Sequence, residues 1–116
     1  MTEVPLSVYA TGVLDGAGAG VLRLGPRAHG VLWRPANVGI RMTGATPSGL
    51  ATCYIYAGDS PTDSNYVDAT YDVNNDNTDR VNGVELRLGQ CVFAAWTGGN
   101  PGATVTLTLT GKAEVP

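Results

Sequence analysis

The chain has 116 residues and a mass of 12.0 kDa, is 43% hydrophobic and 15% charged, and carries 16 glycines and 7 prolines, a size that fits one domain, 1–116, and leaves no room for two. No apolar run approaches the ~18 residues needed to span a bilayer, the first residues lack the basic-then-apolar order of a secretory signal, and about 65% of the unfolded surface can be buried at this length. Those two absences read as a chain made and folded in a cytoplasm or already processed, and the net charge of -3 and pI of about 4.8 argue against nucleic acid or a membrane surface as partner.

In chain order, period-two runs predict strands at 4–11, 19–24, 31–43, 50–57, 66–71, 84–88, 91–96 and 103–111. The clearest is the last, where Val105, Leu107 and Leu109 alternate with Thr104, Thr106, Thr108 and Thr110 and so give one buried and one hydroxyl-bearing face. Turn chemistry separates the runs: Asp15-Gly16, Gly25-Pro26, Thr46-Pro47-Ser48-Gly49, Ser60-Pro61-Thr62-Asp63, Asn82-Gly83, Gly89-Gln90 and Gly98-Gly99-Asn100-Pro101-Gly102. No stretch places apolar residues at helical spacing, so nothing supplies the crossovers that parallel strands need. The expected fold is all-β: an antiparallel two-sheet β-sandwich of about eight strands, jelly-roll-like, with short flexible ends near 1–4 and 112–116. Pro35 cannot donate to a ladder, so its strand should be bent, bulged or at a sheet edge there.

Candidate chemistry is sparse. His29 is the only histidine; it sits in a turn with no serine or cysteine motif to recruit it, so no catalytic residue and no enzymatic activity are expected. The Gly16-Ala17-Gly18-Ala19-Gly20 stretch precedes a strand rather than a helix N-terminus, which removes a phosphate cradle and leaves a turn or lead-in. Cys53 and Cys91 are too few for a metal site, and inside strands they read as small buried hydrophobes; an intersheet disulfide would need Cα atoms within about 7 Å and an oxidising compartment. From Asp72 the run Asp-Val-Asn-Asn-Asp begins like a calcium loop, but Asn77 stands where glycine is wanted and Gly83 where a bidentate glutamate belongs. A hairpin connection explains the same letters, so neither metal nor cofactor is expected.

Charge is segregated along the chain. Up to Tyr56 there are four arginines against two acids, residues 57–79 hold six aspartates and no base, and the rest has three bases against two acids. The acidic stretch reads as a solvated loop or as one side of a contact with a neighbouring subunit. Tyr54 and Tyr56 share a strand face, so either they or Cys53 and Ile55 fill the sandwich; placing Cys53 and Ile55 inward is preferred and leaves the tyrosines as surface contacts.

Residues 51–61, Ala-Thr-Cys-Tyr-Ile-Tyr-Ala-Gly-Asp-Ser-Pro, followed by Asp68-Ala69-Thr70-Tyr71 and by Trp96-Thr97-Gly98-Gly99-Asn100-Pro101-Gly102-Ala103-Thr104-Val105, resemble small β-rich virion proteins of tailed phages of actinobacteria. The resemblance covers roughly 50 to 60 residues, rests on turn and core letters, and carries over no site residue. It implies a structural part of a phage particle, either a capsid decoration subunit or a tail-associated module. The expectation is therefore a virion protein on the capsid surface, made in the bacterial host cytoplasm, with the major capsid protein as partner. Tyr54, Tyr56, Arg34 and Arg41 are the candidate contacts by residue type. Apolar terminal strands that could pair between subunits suggest a symmetric homo-oligomer, a trimer first. The alternative is a tail-associated carbohydrate-binding or receptor-contact module, with Trp33, Tyr66 and Trp96 as stacking platforms.

Overall fold

The computed structural model describes residues 2–43, 51–73, 76–81 and 83–116, and their side chains outside 70–80. Among the described residues eight strands form: β1 (Thr2–Val13), β2 (Gly20–Leu24), β3 (Leu32–Thr43), β4 (Ala51–Gly58), β5 (Tyr66–Val73), β6 (Asp76–Arg80), β7 (Cys91–Thr97) and β8 (Thr104–Val115), with one 3-10 turn at Asp63–Asn65. They build two four-stranded sheets, in the orders β1-β8-β3-β6 and β2-β7-β4-β5. Every pairing is antiparallel. Within those orders β1 pairs with β8, β2 with β7, β3 with β6 and β4 with β5. The chain is thus one long antiparallel ribbon folded at its middle and rolled so that successive strand pairs alternate between sheets, which is a jelly roll.

Alternation sets which face each residue takes, and the core is what the two inner faces hold in common. From the first sheet come Val38, Ile40 and Met42 of β3 and Val105, Leu107 and Leu109 of β8; from the second come Cys53 and Ile55 of β4 and Val92, Ala94 and Trp96 of β7, all buried. Cys53 and Ile55 point inward, which turns Tyr54 and Tyr56 out, as the preferred reading had it.

Pro35 produces a bulge. The β3–β8 register slips between Pro35 and Asn37, because two residues of β3 must oppose one of β8 where the ladder lacks a donor. The bulge presses on Gly111: a Cβ built there would lie 2.4 Å from the Arg34 carbonyl oxygen and 2.7 Å from the Ala36 nitrogen. Both are backbone atoms that cannot swing aside, so glycine is required by close approach.

Four expectations need correction. Residues 84–88 are not a strand; only Leu86 makes a bridge, to Trp33, through two 2.9 Å backbone hydrogen bonds. The aspartate-rich stretch instead supplies β6, which pairs with β3 from Asn37↔Arg80 to Arg41↔Asp76. β5 and β6 belong to different sheets, so the two strands do not form a hairpin. Among the described residues the ends expected to be flexible belong to strands: Thr2 pairs with Val115 and Val4 with Ala113, since β1 and β8 run alongside each other for their full length. The turn expected at 46–49, residue 50, Asn82 and the side chains at 72–79 that suggested a calcium loop lie outside what is described.

Candidate functional site

The two outer faces differ in chemistry. On the β1-β8-β3-β6 sheet, the outward positions of β8 are Thr104, Thr106, Thr108 and Thr110, flanked in register by Thr11, Ser7 and Tyr9 of β1 and by Asn37, Arg41 and Thr43 of β3. Two ion pairs close its lower end, Arg34 to Glu114 at 2.9 Å and Lys112 to Glu3 at 3.3 Å. Exposed as they are, these pairs are worth about 0–1 kcal/mol each. This face is mostly hydroxyl-lined, with scattered, largely balanced charge, and carries the exposed Tyr9 and Val13 along its β1 edge.

The outer face of the β2-β7-β4-β5 sheet is aromatic and apolar. Register places Phe93 of β7 between Arg23 of β2 and Tyr56 of β4, and Ala95 between Val21 and Tyr54. Tyr56 meets Tyr66 of β5 edge to face, with centroids 6.2 Å apart and planes at 73°, a favoured geometry for two rings. Val21 is 58% exposed and Tyr66 51% exposed, so the surface is open although Phe93 itself is buried within it.

The residues singled out from the sequence therefore do not form one site. Tyr54 and Tyr56 lie on the aromatic face, whereas Arg34 and Arg41 lie on the hydroxyl face across the sandwich, Arg34 committed to Glu114. Tyr66, considered for glycan stacking, joins Tyr54 and Tyr56. Trp96 cannot stack on any ligand, because it points inward and is 1% exposed. Its indole N–H finds no acceptor in the core, a cost of roughly 1–3 kcal/mol that the burial of the ring outweighs. Trp33 lies elsewhere again, so Trp33, Tyr66 and Trp96 make no common platform.

Trp33 lines a cleft of about 750 Å³ where the free edges of β1 and β2 face each other beneath the β2–β3 connection. Val8, Leu24, Pro26 and Val31 give it apolar walls, Tyr9 and Trp33 aromatic ones, and Arg23 and Arg27 its only formal charges. Gly25 sits so close to the start of β7 that a Cβ there would lie 2.1 Å from the Gln90 carbonyl oxygen, so the β2–β3 connection packs tightly against β7 there. Cys91 also lines it. Burial raises the Cys91 thiol pKa, against the opposing pull of Arg23 and Arg27. Cys53 is fully buried, and desolvation pushes its pKa up to about 12, countered in part by a backbone hydrogen bond from Ala95. Both thiols are free, in neighbouring strands of one sheet, and no disulfide joins them.

His29 is exposed in the β2–β3 connection. Among the described residues no three His, Cys, Asp or Glu side chains gather as a metal-ligand set. The acidic β4–β5 connection is ordered by its own side chains: Asn65 Nδ2 donates to Asp59 Oδ1 at 3.3 Å and to the Ser60 carbonyl at 2.9 Å, and Asn65 N–H donates to the Thr62 carbonyl at 2.8 Å. Ser60, Thr62 and Ser64 hydroxyls continue the chain of contacts.

Sequence reasoning missed Phe93, Val21 and Arg23 on the aromatic face, and Tyr9, Arg27 and Cys91 at the cleft. Phe93 lies in a run of apolar residues, Cys91-Val92-Phe93-Ala94-Ala95-Trp96, in which no polar position marks the outward side. The cleft joins residues 8–33 with Gly89 and Cys91, and only the jelly-roll closure brings them together. No protein-family model matches the chain and no curated protein matches it, so its surfaces are interpreted from their own chemistry.

Proposed function

We propose that the chain is a structural protein of a phage virion, a capsid decoration subunit that binds the outer surface of the shell through its aromatic sheet face and turns its hydroxyl face to water. The observation that carries this reading is the contrast between the two outer faces of one thin sandwich. Tyrosine supplies large contact area at little conformational cost and concentrates at binding surfaces, while a threonine-lined face is well solvated. The resemblance to actinobacterial phage virion proteins supplies the partner, the major capsid protein. No catalytic group takes part.

The energetics favour many weak attachments over one strong one. A four-stranded sheet whose longest face strand has eight residues offers roughly 500 Å², from strand rise and spacing, below the ~800 Å² per partner of a standard stable interface. Repetition over a symmetric shell makes up the difference, since linked weak contacts act at high effective concentration. A subunit that binds only the assembled shell stabilises that state by mass action.

The test is a comparison of particles with and without the protein under heat. Earlier genome release from particles lacking it is expected; equal survival would refute the cementing role. Mass spectrometry of mature particles gives the placement: hundreds of copies mean shell, and a few mean tail.

A further inference from the structure

We propose that the edge cleft is a self-association site that receives the aspartate-bearing β4–β5 connection of a second copy of this chain. The proposal extends the adhesive reading above, and its test uses the purified chain alone, so either can fail while the other stands.

Two features of one molecule are complementary. The cleft, lined by Trp33, Tyr9, Arg23 and Arg27, contains no carboxylate. Among the described residues neither arginine makes an ion pair. These two cations sit together on a chain whose net charge is -3, which is the pattern of a surface awaiting an anionic partner. The β4–β5 connection offers that partner: Asp59, Pro61, Thr62, Asp63 and Ser64 are exposed, in the stretch that holds six aspartates and no base. Its internal hydrogen bonds fix the loop before any contact is made, so little ordering entropy remains to be lost on docking. Asp59 keeps its second carboxylate oxygen and Asp63 its whole carboxylate available for arginine, for which a bidentate pairing is the strongest arrangement.

Placement makes the contact heterologous. Leu24 pairs with Val92 and Gly58 with Cys91, so the cleft and the acidic loop lie at the same end of the sheet. The loop leaves β4 one strand spacing from the cleft-lining Cys91 and ends on β5, three strand spacings or about 14 Å from β2 in the order β2-β7-β4-β5. Among the described residues no ion pair joins Asp59 or Asp63 to Arg23 or Arg27 within one molecule, whereas a neighbour rotated about a common axis can present its loop to the cleft. Such a contact closes into a ring when the rotation permits and otherwise runs on as a filament.

The experiment is sedimentation velocity of the purified chain at low and high salt, for wild type, Arg23→Glu/Arg27→Glu, Asp59→Asn/Asp63→Asn, and a chain carrying Arg23→Asp, Arg27→Asp, Asp59→Arg and Asp63→Arg together. Wild type is expected to associate and to dissociate as salt rises. Each double variant should weaken association roughly tenfold or more, as expected of two charge pairs at the upper end of the exposed range. The fourfold swap should recover at least part of it. Cys91 lines the cleft, so its labelling by a thiol reagent gives a second reading: slow in the associated wild type, fast in both double variants, with circular dichroism showing each variant folded. A wild type that stays monomeric at low salt and millimolar concentration overturns the proposal. So does an oligomer whose strength and Cys91 protection ignore both double variants.

Discussion

Replacing Gly111 with alanine should destabilise the fold far more than its single added methyl suggests. At this point β8 is the inner strand of its sheet, and the bulge at Pro35 brings the backbone of β3 over it; the new Cβ would lie 2.4 Å from the Arg34 carbonyl oxygen, 2.7 Å from the Ala36 nitrogen and 2.9 Å from the Pro35 Cα. Overpacking against side chains costs about 1–3 kcal/mol, and here the neighbours are backbone atoms that move only if the ladder opens, so about 2–4 kcal/mol is expected. For 116 residues the unfolding entropy is about 0.24 kcal/mol/K, so the melting temperature should fall by about 8–16 °C. The assay is paired thermal and urea unfolding, with Gly16→Ala as control, where a Cβ meets nothing within 4 Å. The control should be neutral or slightly stabilising. If Gly111→Ala melts within 2 °C of wild type, the bulge does not press on Gly111 and the β3–β8 register is wrong.

Other outcomes follow from the faces and the core. On the proposed shell-binding face, Tyr56→Ala should weaken binding to purified capsids by about tenfold, the loss of one aromatic anchor, while Arg41→Ala on the opposite face leaves it unchanged; a pull-down with unequal salt washes reads both. Tryptophan quenching separates the two indoles: Trp33→Phe should leave only emission that acrylamide barely quenches, since Trp96 is 1% exposed, and Trp96→Phe the reverse. Equal quenching in the two variants would contradict the inward placement of Trp96. The Cys53 thiol, raised to about 12 by burial, stays protonated in the fold while the unfolded thiol ionises from about pH 8.5–9. Stability should therefore fall by up to about 1.4 kcal/mol per pH unit between roughly pH 9 and 12 from this group. Cys53→Ala should flatten that part of the pH profile, and an unchanged slope would count against the burial of Cys53.

The stretches whose local pattern and long-range role agree were legible from the sequence. Alternation at 103–111 gave β8 with its inner Val105, Leu107 and Leu109, and the absence of helical spacing required antiparallel strands in two layers. Pro35 marked a bend, a bulge or an edge because a missing donor disrupts a ladder in any context, and the tertiary structure made it a bulge. The elements misread are those in which a partner overrides propensity. Asp76-Asn77-Thr78-Asp79-Arg80 has poor strand composition, yet it becomes β6 because the edge of β3 offers it open hydrogen-bonding groups. Val84–Leu88 has better strand letters, and only Leu86 finds a partner there.

The same division holds for the surfaces. Tyr54 and Tyr56 had to share a face because residues two apart on a strand always do, and this follows from backbone geometry alone. Whether that face looked in or out, that Trp96 is core while Trp33 lines a cleft, and that Arg34 and Arg41 stand across the sandwich from the tyrosines depended on how the ribbon closes. Period two fixes which residues lie together on a strand; it carries no information about which strand from the far end of the chain arrives beside it. Joining β1 to β8 and β2 to β7 spans nearly the whole sequence, and those closures alone decided which edges meet and what the cleft between them contains.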